Sequence, residues 1–534
     1  MGGGAVTMMA GPLPLIILPL AMAPIVYFLR RWPIVASLSA SVTALVTAGL
    51  CLRLPLNDPA YVLGRELVLD HPSQMVVVFI LVTAAILFLC AWFTSQSPSL
   101  PFDYPFDFAQ GRAQDRRQDF GEPLGLSSRR RLSRAAQDTA FIPFGLAILG
   151  LLSGAATMRL FLFAALLLEI AAIVAVFAIQ GDQQGSTRAG LRYLVMTALA
   201  LPCFLVAAWL FELHARNPHN VALAEPAVTL LALGFAILLG AVPFQTWLPA
   251  VAVEAPPMVT AFLIGTVNPV LFLLLTTLFQ RHPWLIADNQ AFQLLTVGGL
   301  LTALVGGLLA LGQQDFGRLL AYAALSDLGC LLLGLGTASI EGLTATALQL
   351  VNRSLALVLA SVGLASLRRY ASSDAFADLG NVARRMPLVS AGLLVGLLSL
   401  AGFPLTGGFA SRWPIYRLVY QENHLYAIAL ILSGGAAALG CWRGLFALLR
   451  SEATKNPVPG KQATCCVKNE TLRSAQGDKL GLDASPELER EPIPTAVVML
   501  ILTLLCLALG LFPQLFLPPI LKSVEGFTFL GSPR

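Results

Sequence analysis

The feature that most constrains this chain is a succession of continuous apolar runs that recur from one end to the other. A helix needs about 20 apolar residues to cross the hydrocarbon of a bilayer. A closed barrel is the other way to satisfy every backbone group in lipid, but barrel strands alternate apolar and polar positions over short segments. These runs are long and do not alternate. Charged residues make up 12% of the chain and hydrophobic ones 57%, whereas soluble domains carry roughly 25% charge. The expected fold class is an all-α polytopic membrane protein with about fourteen transmembrane helices. A soluble enzyme is excluded.

The spans are expected at 10–29, 33–54, 74–95, 140–157, 160–180, 189–212, 226–247, 257–280, 291–312, 318–337, 342–367, 386–418, 424–449 and 492–517. No Lys or Arg precedes Arg30, so the first run is read as a retained span and not a signal peptide. Two polar stretches interrupt the pattern. Residues 96–138 contain PFDY/PFDF and an Arg-rich tail, and residues 451–490 include KNETLRSAQGDKLGLDASPELEREP. Both are read as disordered cytoplasmic inserts. The expected organisation is a three-helix region at 1–95, the insert at 96–138, a core at 139–420, helix 13 at 421–450, the insert at 451–490, and a C-terminal helix and tail at 491–534.

The net charge of +5 resides in loops and implies no nucleic acid. Basic residues concentrate after the odd-numbered helices, at Arg30, Arg31, Arg188, Arg192, Arg368, Arg369, Arg384 and Arg385 besides the inserts. The positive-inside rule then places both termini on the outer face of an inner (plasma) membrane. The eight cysteines form no CxxC pair, and the five histidines fall near helix ends. No metal or cofactor is expected. There is no nucleotide, flavin or iron–sulfur motif.

Pro243 interrupts the seventh helix and Pro404 the twelfth. A break leaves carbonyls unpaired, and those recruit water and polar side chains. Matching breaks in two halves point to an ion path, while proline kinks that only shape packing are equally consistent.

A charge at the bilayer centre costs at least roughly 2.5–3.5 kcal/mol. Glu169 lies deep in RLFLFAALLLEIAAIVAVFAI, too far from either end to snorkel, and is the sharpest candidate for proton handling. Its plainer reading is a protonated carboxyl bonded to a neighbouring helix. Asp327 and Arg353 sit on consecutive helices and are positioned to pair, as a structural salt bridge or as a relay. Arg412 and Arg192 lie near helix ends or breaks, Arg443 is placed to snorkel, and Glu254 and Asp315 read as interfacial.

At these residues the chain resembles a known family. AVPFQTWLPAVAVEAPPMVTAFL (Ala241 to Leu263) is similar to PFHxWLPDAxxxAPTPVSAFL. QQDFGRLLAYAALSDLG (Gln313 to Gly329) is similar to QxDIKRLLAYSSIxHMG. LLSLAGFPLTGGFASRW (Leu397 to Trp413) resembles LLSLAGxPPTxGFxGKF. With Glu169 at the place of the family's fifth-helix glutamate, these identify the antiporter-like membrane subunits of complex I, membrane-bound hydrogenases and Mrp antiporters. The resemblance implies two inverted five-helix repeats, broken helices 7 and 12, and a polar axis along the membrane. The short tail after the last span favours the N or M type. The implied partners are other membrane subunits, the lipid bilayer, and protons or sodium.

The departures from the pattern are specific. Family lysines fall on Leu238, Asn268, Gly317, Leu357 and Arg412, and family histidines on Gln245, Asp327 and Arg353. A buried lysine can change charge; an arginine effectively cannot. Glu169, Asp327, Arg353 and Arg412 are the expected proton-transfer groups, with Gln245 and Asn268 on the polar axis. The expected function is proton translocation coupled to electron transport as part of a larger assembly, whose other subunits supply the redox chemistry. A non-pumping structural subunit of the same fold and an autonomous cation/proton antiporter are the alternatives.

Overall fold

A computed structural model describes residues 11–95, 140–180, 187–217, 221–450 and 491–527, apart from positions 63, 288 and 372. The polar stretches 96–138 and 451–490, including Cys465 and Cys466, lie outside the described residues, as do both termini.

Helices form wherever the apolar runs are. They are α1 (Leu13–Leu29), α2 (Pro33–Arg53), α3 (His71–Ser95), α4 (Ile142–Thr157), α5 (Phe161–Gln180) and α6 (Thr187–Arg216). Then come α7 (Ala224–Leu239), α8 (Trp247–Glu254), α9 (Pro257–Arg281), α10 (Gln290–Gly312), α11 (Phe316–Gly336) and α12 (Ile340–Ala371). The last are α13 (Pro387–Ala401), α14 (Gly407–Glu422), α15 (His424–Leu449), α16 (Ile493–Leu511) and the short α17 (Leu517–Val524). A small antiparallel hairpin, β1 (Ala60–Val62) and β2 (Arg65–Leu67), joins α2 to α3 with Ala60 opposite Leu67. Among the described residues ten helices are long and apolar enough to cross a membrane. Four shorter apolar helices (α1, α4, α7 and α13) occupy the remaining expected spans. Proline stands in the first turn of α2, α9 and α13, where its missing N–H costs no helix bond.

The two breaks differ from expectation in their cause. α7 stops at Gly240 (φ 69°) and α13 at Gly402 (φ 77°), before either proline. Each end is the same cap. Gly240 N donates to Ile237 O and Ala241 N to Ala236 O; Gly402 N donates to Ser399 O and Phe403 N to Leu398 O. This paired 5→2 and 6→1 pattern is the glycine cap of a helix C-terminus. Pro243 and Pro404 lie in the loops beyond and keep the chain from resuming the helix at once. The twelfth span is therefore two helices, α13 and α14, where one long helix with a proline break was expected.

Burial sorts the helices. The apolar windows of α9 and α11 are 94% buried and that of α12 78%, against 28% for α6 and α16. So α9, α11 and α12 lie in the interior, together with the shorter α4, which is buried along nearly its whole length. α10 and α11 approach backbone to backbone. A Cβ on Gly329 would stand 2.2 Å from Ala303 N, and one on Gly306 2.4 Å from Ser326 N. Small residues let membrane helices pack this closely, because lipid supplies no hydrophobic force between them. Gly329→Val is expected to force α10 off α11 and destabilise by about 3 kcal/mol. Thermal melting of the purified protein would read this, and an unchanged midpoint would show that the helix pair has slack.

Candidate functional site

Asp327 stands in the middle of α11, fully buried. Two guanidinium groups converge on it. Arg353 Nη1 on α12 donates to Asp327 Oδ2 at 2.7 Å, and Arg412 Nη2 on α14 donates to Oδ1 at 2.8 Å. Both arginines are 1% exposed. Gln349 Nε2 on α12 also donates to Asp327 Oδ1, and Ser411 Oγ on α14 donates to Gln349 Oε1. One carboxylate thus receives three side-chain donors. Arginine stays protonated in proteins, so the cluster holds two fixed positive charges against one negative.

The helix break positions Arg412. Its Nη1 donates to Ala401 O at 2.8 Å, and its Nη2 to Leu400 O. These are the last two residues of α13, whose carbonyls have no helical donor after the chain leaves the helix. The partial negative charge of that helix end favours a cation. Arg353 is held likewise, with Nη1 donating to Ala324 O at 2.7 Å. Beside the cluster, Ser399 Oγ donates to Asn352 Oδ1 at 2.8 Å and accepts from Gly408 N at 3.2 Å. α14 passes so close to α13 that a Cβ on Gly408 would lie 1.8 Å from Ser399 O.

The glycine of the cap is part of the site. A Cβ on Gly402 would lie 2.7 Å from Arg412 Cδ and 2.8 Å from its Nη1. Gly402→Ala combines that clash with a positive φ, and is expected to cost more than about 1 kcal/mol. Gly240→Ala should cost less, because a Cβ there meets only the Trp247 ring, at 3.0 Å or more. Melting midpoints of the two variants compare them; equal losses would remove the contribution assigned to Arg412.

The other expected residues lie elsewhere. Glu169 is half-buried on α5, and no hydrogen bond or ion pair among the described residues reaches its carboxylate. Its neighbours Ile170 and Ile173 are exposed, and Tyr193 of α6 is within electrostatic reach. Arg192 is exposed and forms no ion pair with it. Leu238, where the family lysine would be, lines a small cavity with Leu168, Tyr193, Thr197, Leu263 and Leu271. Asn268 is buried on α9. Pro243 is exposed in the loop after α7; Gln245 follows it with its Oε1 buried and without a hydrogen-bond partner. Pro404 is exposed in the α13–α14 loop.

Asp327, Arg353 and Arg412 therefore form one cluster, and Glu169 stands apart from it, on a helix of the first half. Glu254 and Asp315 are helix caps. Glu254 Oε2 accepts from Ala189 N at 2.9 Å, and Asp315 Oδ1 from Arg318 N at 2.8 Å. Gly317 takes no lysine's part: a Cβ there would lie 2.5 Å from Arg368 Nη2, which fills that space and donates to Ala252 O. Sequence reasoning missed Gln349 and Ser411. The signal was present, since Gln349 is four residues before Arg353 and so shares its helix face. Among the described residues no group of three or more His, Cys, Asp or Glu is placed to hold a metal ion.

Known proteins share this architecture. Over its full length the fold is similar to a chain of the Mrp complex from Dietzia sp. DQ12-45-1b, with TM-score 0.72 and 17% identity, covering 98% of this chain and 100% of that one. It is similar to a chain of respiratory complex I from Thermus thermophilus, with TM-score 0.68 and 21% identity, covering 98% and 100%. At such identities the likeness is one of fold. In sequence the chain is 30% identical to formate hydrogenlyase subunit 3 of Escherichia coli (strain K12), over 51% of this chain and 47% of that protein. It is 31% identical to NADH-quinone oxidoreductase subunit N of Chromohalobacter salexigens, over 57% and 65%. The chain thus spans between about half and just under two thirds of the length of these relatives. Residues 155–437, more than half of the chain and all of the buried cluster, match the family described as NADH:quinone oxidoreductase/Mrp antiporter, TM. The chain is a polytopic membrane protein and belongs to that family of antiporter-like subunits.

Proposed function

We propose that this chain takes part in proton translocation coupled to electron transport, as a membrane subunit of a complex I-like or Mrp-like assembly. One observation carries the reading: a carboxylate and two guanidinium groups buried at a helix break in the interior of the bundle. Charges that deep are expensive and mark ion pathways by default. A membrane protein that needed only stability would fill this space with apolar side chains.

The partners are other membrane subunits of a respiratory, hydrogenase or Mrp-type complex. Related chains sit in the Mrp complex, in complex I and in the membrane-bound sulfane sulfur reductase. Those partners supply the redox chemistry. The membrane is the inner (plasma) membrane, with both termini outside, as the basic loops favour.

The test is proton flux in proteoliposomes holding the intact assembly. A parent assembly without flux, or with the same flux after Asp327→Asn, defeats the reading. Sodium-dependent exchange by the chain alone would instead favour an autonomous antiporter. The structural, non-pumping reading has its own support in the first half, where Leu238 and the apolar walls of its cavity replace a titratable lysine.

A further inference from the structure

An apolar crevice lies beside the first helix break, between α7 and α10. One wall is α7 from Val228 to Leu239, continued by Ala241 and Val242 of the break. The other is α10 from Ala291 to Gly298. Leu275 and Phe279 of α9 and Leu332 of α11, all buried, make the floor. Leu294 lines the crevice and is 39% exposed, and Val297 next to it is 49% exposed. The mouth therefore opens on the lipid-facing surface.

The walls carry small residues, Ala232 and Ala236 on α7 and Ala291 and Gly298 on α10. Small residues ordinarily let membrane helices close on one another, as α10 and α11 do. Here the space stays open: a Cβ on Gly298 would meet nothing within 4 Å. Lining atoms without neighbours forfeit their dispersion contacts, so a crevice that opens to the bilayer draws a filler from it.

Two features select the filler. The first is chemistry. Every lining residue is apolar or glycine. The polar groups at the deep end are already paired with one another. Val242 N donates to Thr302 Oγ at 3.1 Å, and that hydroxyl donates to Gly298 O at 2.6 Å. A peptide segment or a quinone ring would bring polar groups that find no partner among these lining residues, which is costly. Hydrocarbon brings none. The second is length. Val228 to Leu239 rises about 16 Å along α7, close to the roughly 15 Å of hydrocarbon in one leaflet.

We propose that the α7–α10 crevice is a lipid site that holds one acyl chain of a bilayer phospholipid, with the end of the chain against Val242 and the first helix break. The site stands apart from the buried Asp327 cluster and does not depend on the proposed translocation. The bound chain wedges α7 away from α10 and braces the loop that carries Pro243 and Gln245.

The experiment places the intact assembly in vesicles of phosphatidylcholine, a fraction of which carries a diazirine at the end of one acyl chain. After photolysis, labelled residues are mapped by mass spectrometry. Leu332, buried at the floor, is expected to be labelled as heavily as Leu199, which is exposed on α6. Gly298→Phe puts a ring into the open space. It is expected to lower labelling at Leu332 at least about tenfold, to leave Leu199 unchanged and to keep the melting midpoint. Ala236→Leu fills the crevice from the other wall and is expected to act in the same direction. An unlabelled Leu332 in the parent, or labelling that neither variant reduces, overturns the lipid site. Two further arms identify the occupant. A quinone with a diazirine on its isoprenoid tail that labels Leu332, and that excess phospholipid does not displace, makes the occupant a quinone tail. Photo-leucine in place of Leu294 that captures another subunit and no lipid makes it a protein partner. Either result overturns the proposal.

Discussion

Asp327→Ala is expected to lose about 3–5 kcal/mol of stability. The aspartate is the counter-ion that the two arginines share. Its removal leaves two guanidinium groups buried at 1% exposure without a carboxylate. Arginine cannot escape that cost by deprotonating. Melting of the purified assembly, and the amount of chain found assembled in membranes, would both fall.

The converse experiment separates charge from shape. Asp327→Leu, Arg353→Met and Arg412→Met together replace the cluster with apolar groups of similar bulk. Most of the lost stability is expected to return, because a buried ion cluster is often no more stable than its hydrophobic substitute. Arg412 also caps Leu400 and Ala401, so recovery would fall short of the parent by about one cap, roughly 1 kcal/mol. Proton flux should stay absent. A triple variant as unstable as Asp327→Ala would mean that packing, and not uncompensated charge, governs the site.

Glu169→Gln is expected to reduce proton flux about a hundredfold while leaving the melting midpoint almost unchanged. Glutamine preserves the shape of the side chain, and no ion pair is lost, since none among the described residues reaches Glu169. A large functional effect with a small structural one would mark a carboxyl retained for proton transfer. Undiminished flux would show that Glu169 is a bystander and that the buried cluster alone handles protons. Leu238→Lys probes the same region. It places an ammonium in a cavity lined by Leu168, Leu263 and Leu271, which is costly unless Glu169 becomes its partner. A double-mutant cycle of Leu238→Lys with Glu169→Gln measures that pairing directly. Zero coupling would mean that the two positions do not meet.

The order of the helices was legible because hydrocarbon thickness dictates the length of an apolar run. Each expected span contains a helix, with most ends displaced by a few residues, as for α12, which extends to Ile340 and Ala371; the exceptions are the two broken spans, where α7 stops at Leu239 and the twelfth divides into α13 and α14. The breaks were visible through Pro243 and Pro404, but their cause was not. Glycine ends both helices, and a lone glycine among many in apolar runs carries no distinguishing mark before its φ is known. The pairing of Asp327 with Arg353 followed from their depth on consecutive helices. Arg412 joined them because the α13–α14 break carries α14 back across α11, which no local pattern announces.

The sequence by itself determined that the chain is a bundle of membrane-spanning helices, which residues in it are out of place in lipid, and which family motifs it carries. Tertiary structure alone decided that α4, α9, α11 and α12 lie in the interior, that Asp327 gathers both arginines, and that Glu169 stands apart. The physical reason is that lipid and protein interior are alike apolar. A helix that is hydrophobic all round does not reveal which side faces the bilayer, so only packing tells a central helix from a peripheral one. Fully buried charges are the exception: Asp327, Arg353 and Arg412 meet within a few ångströms, and that meeting place is fixed by the fold.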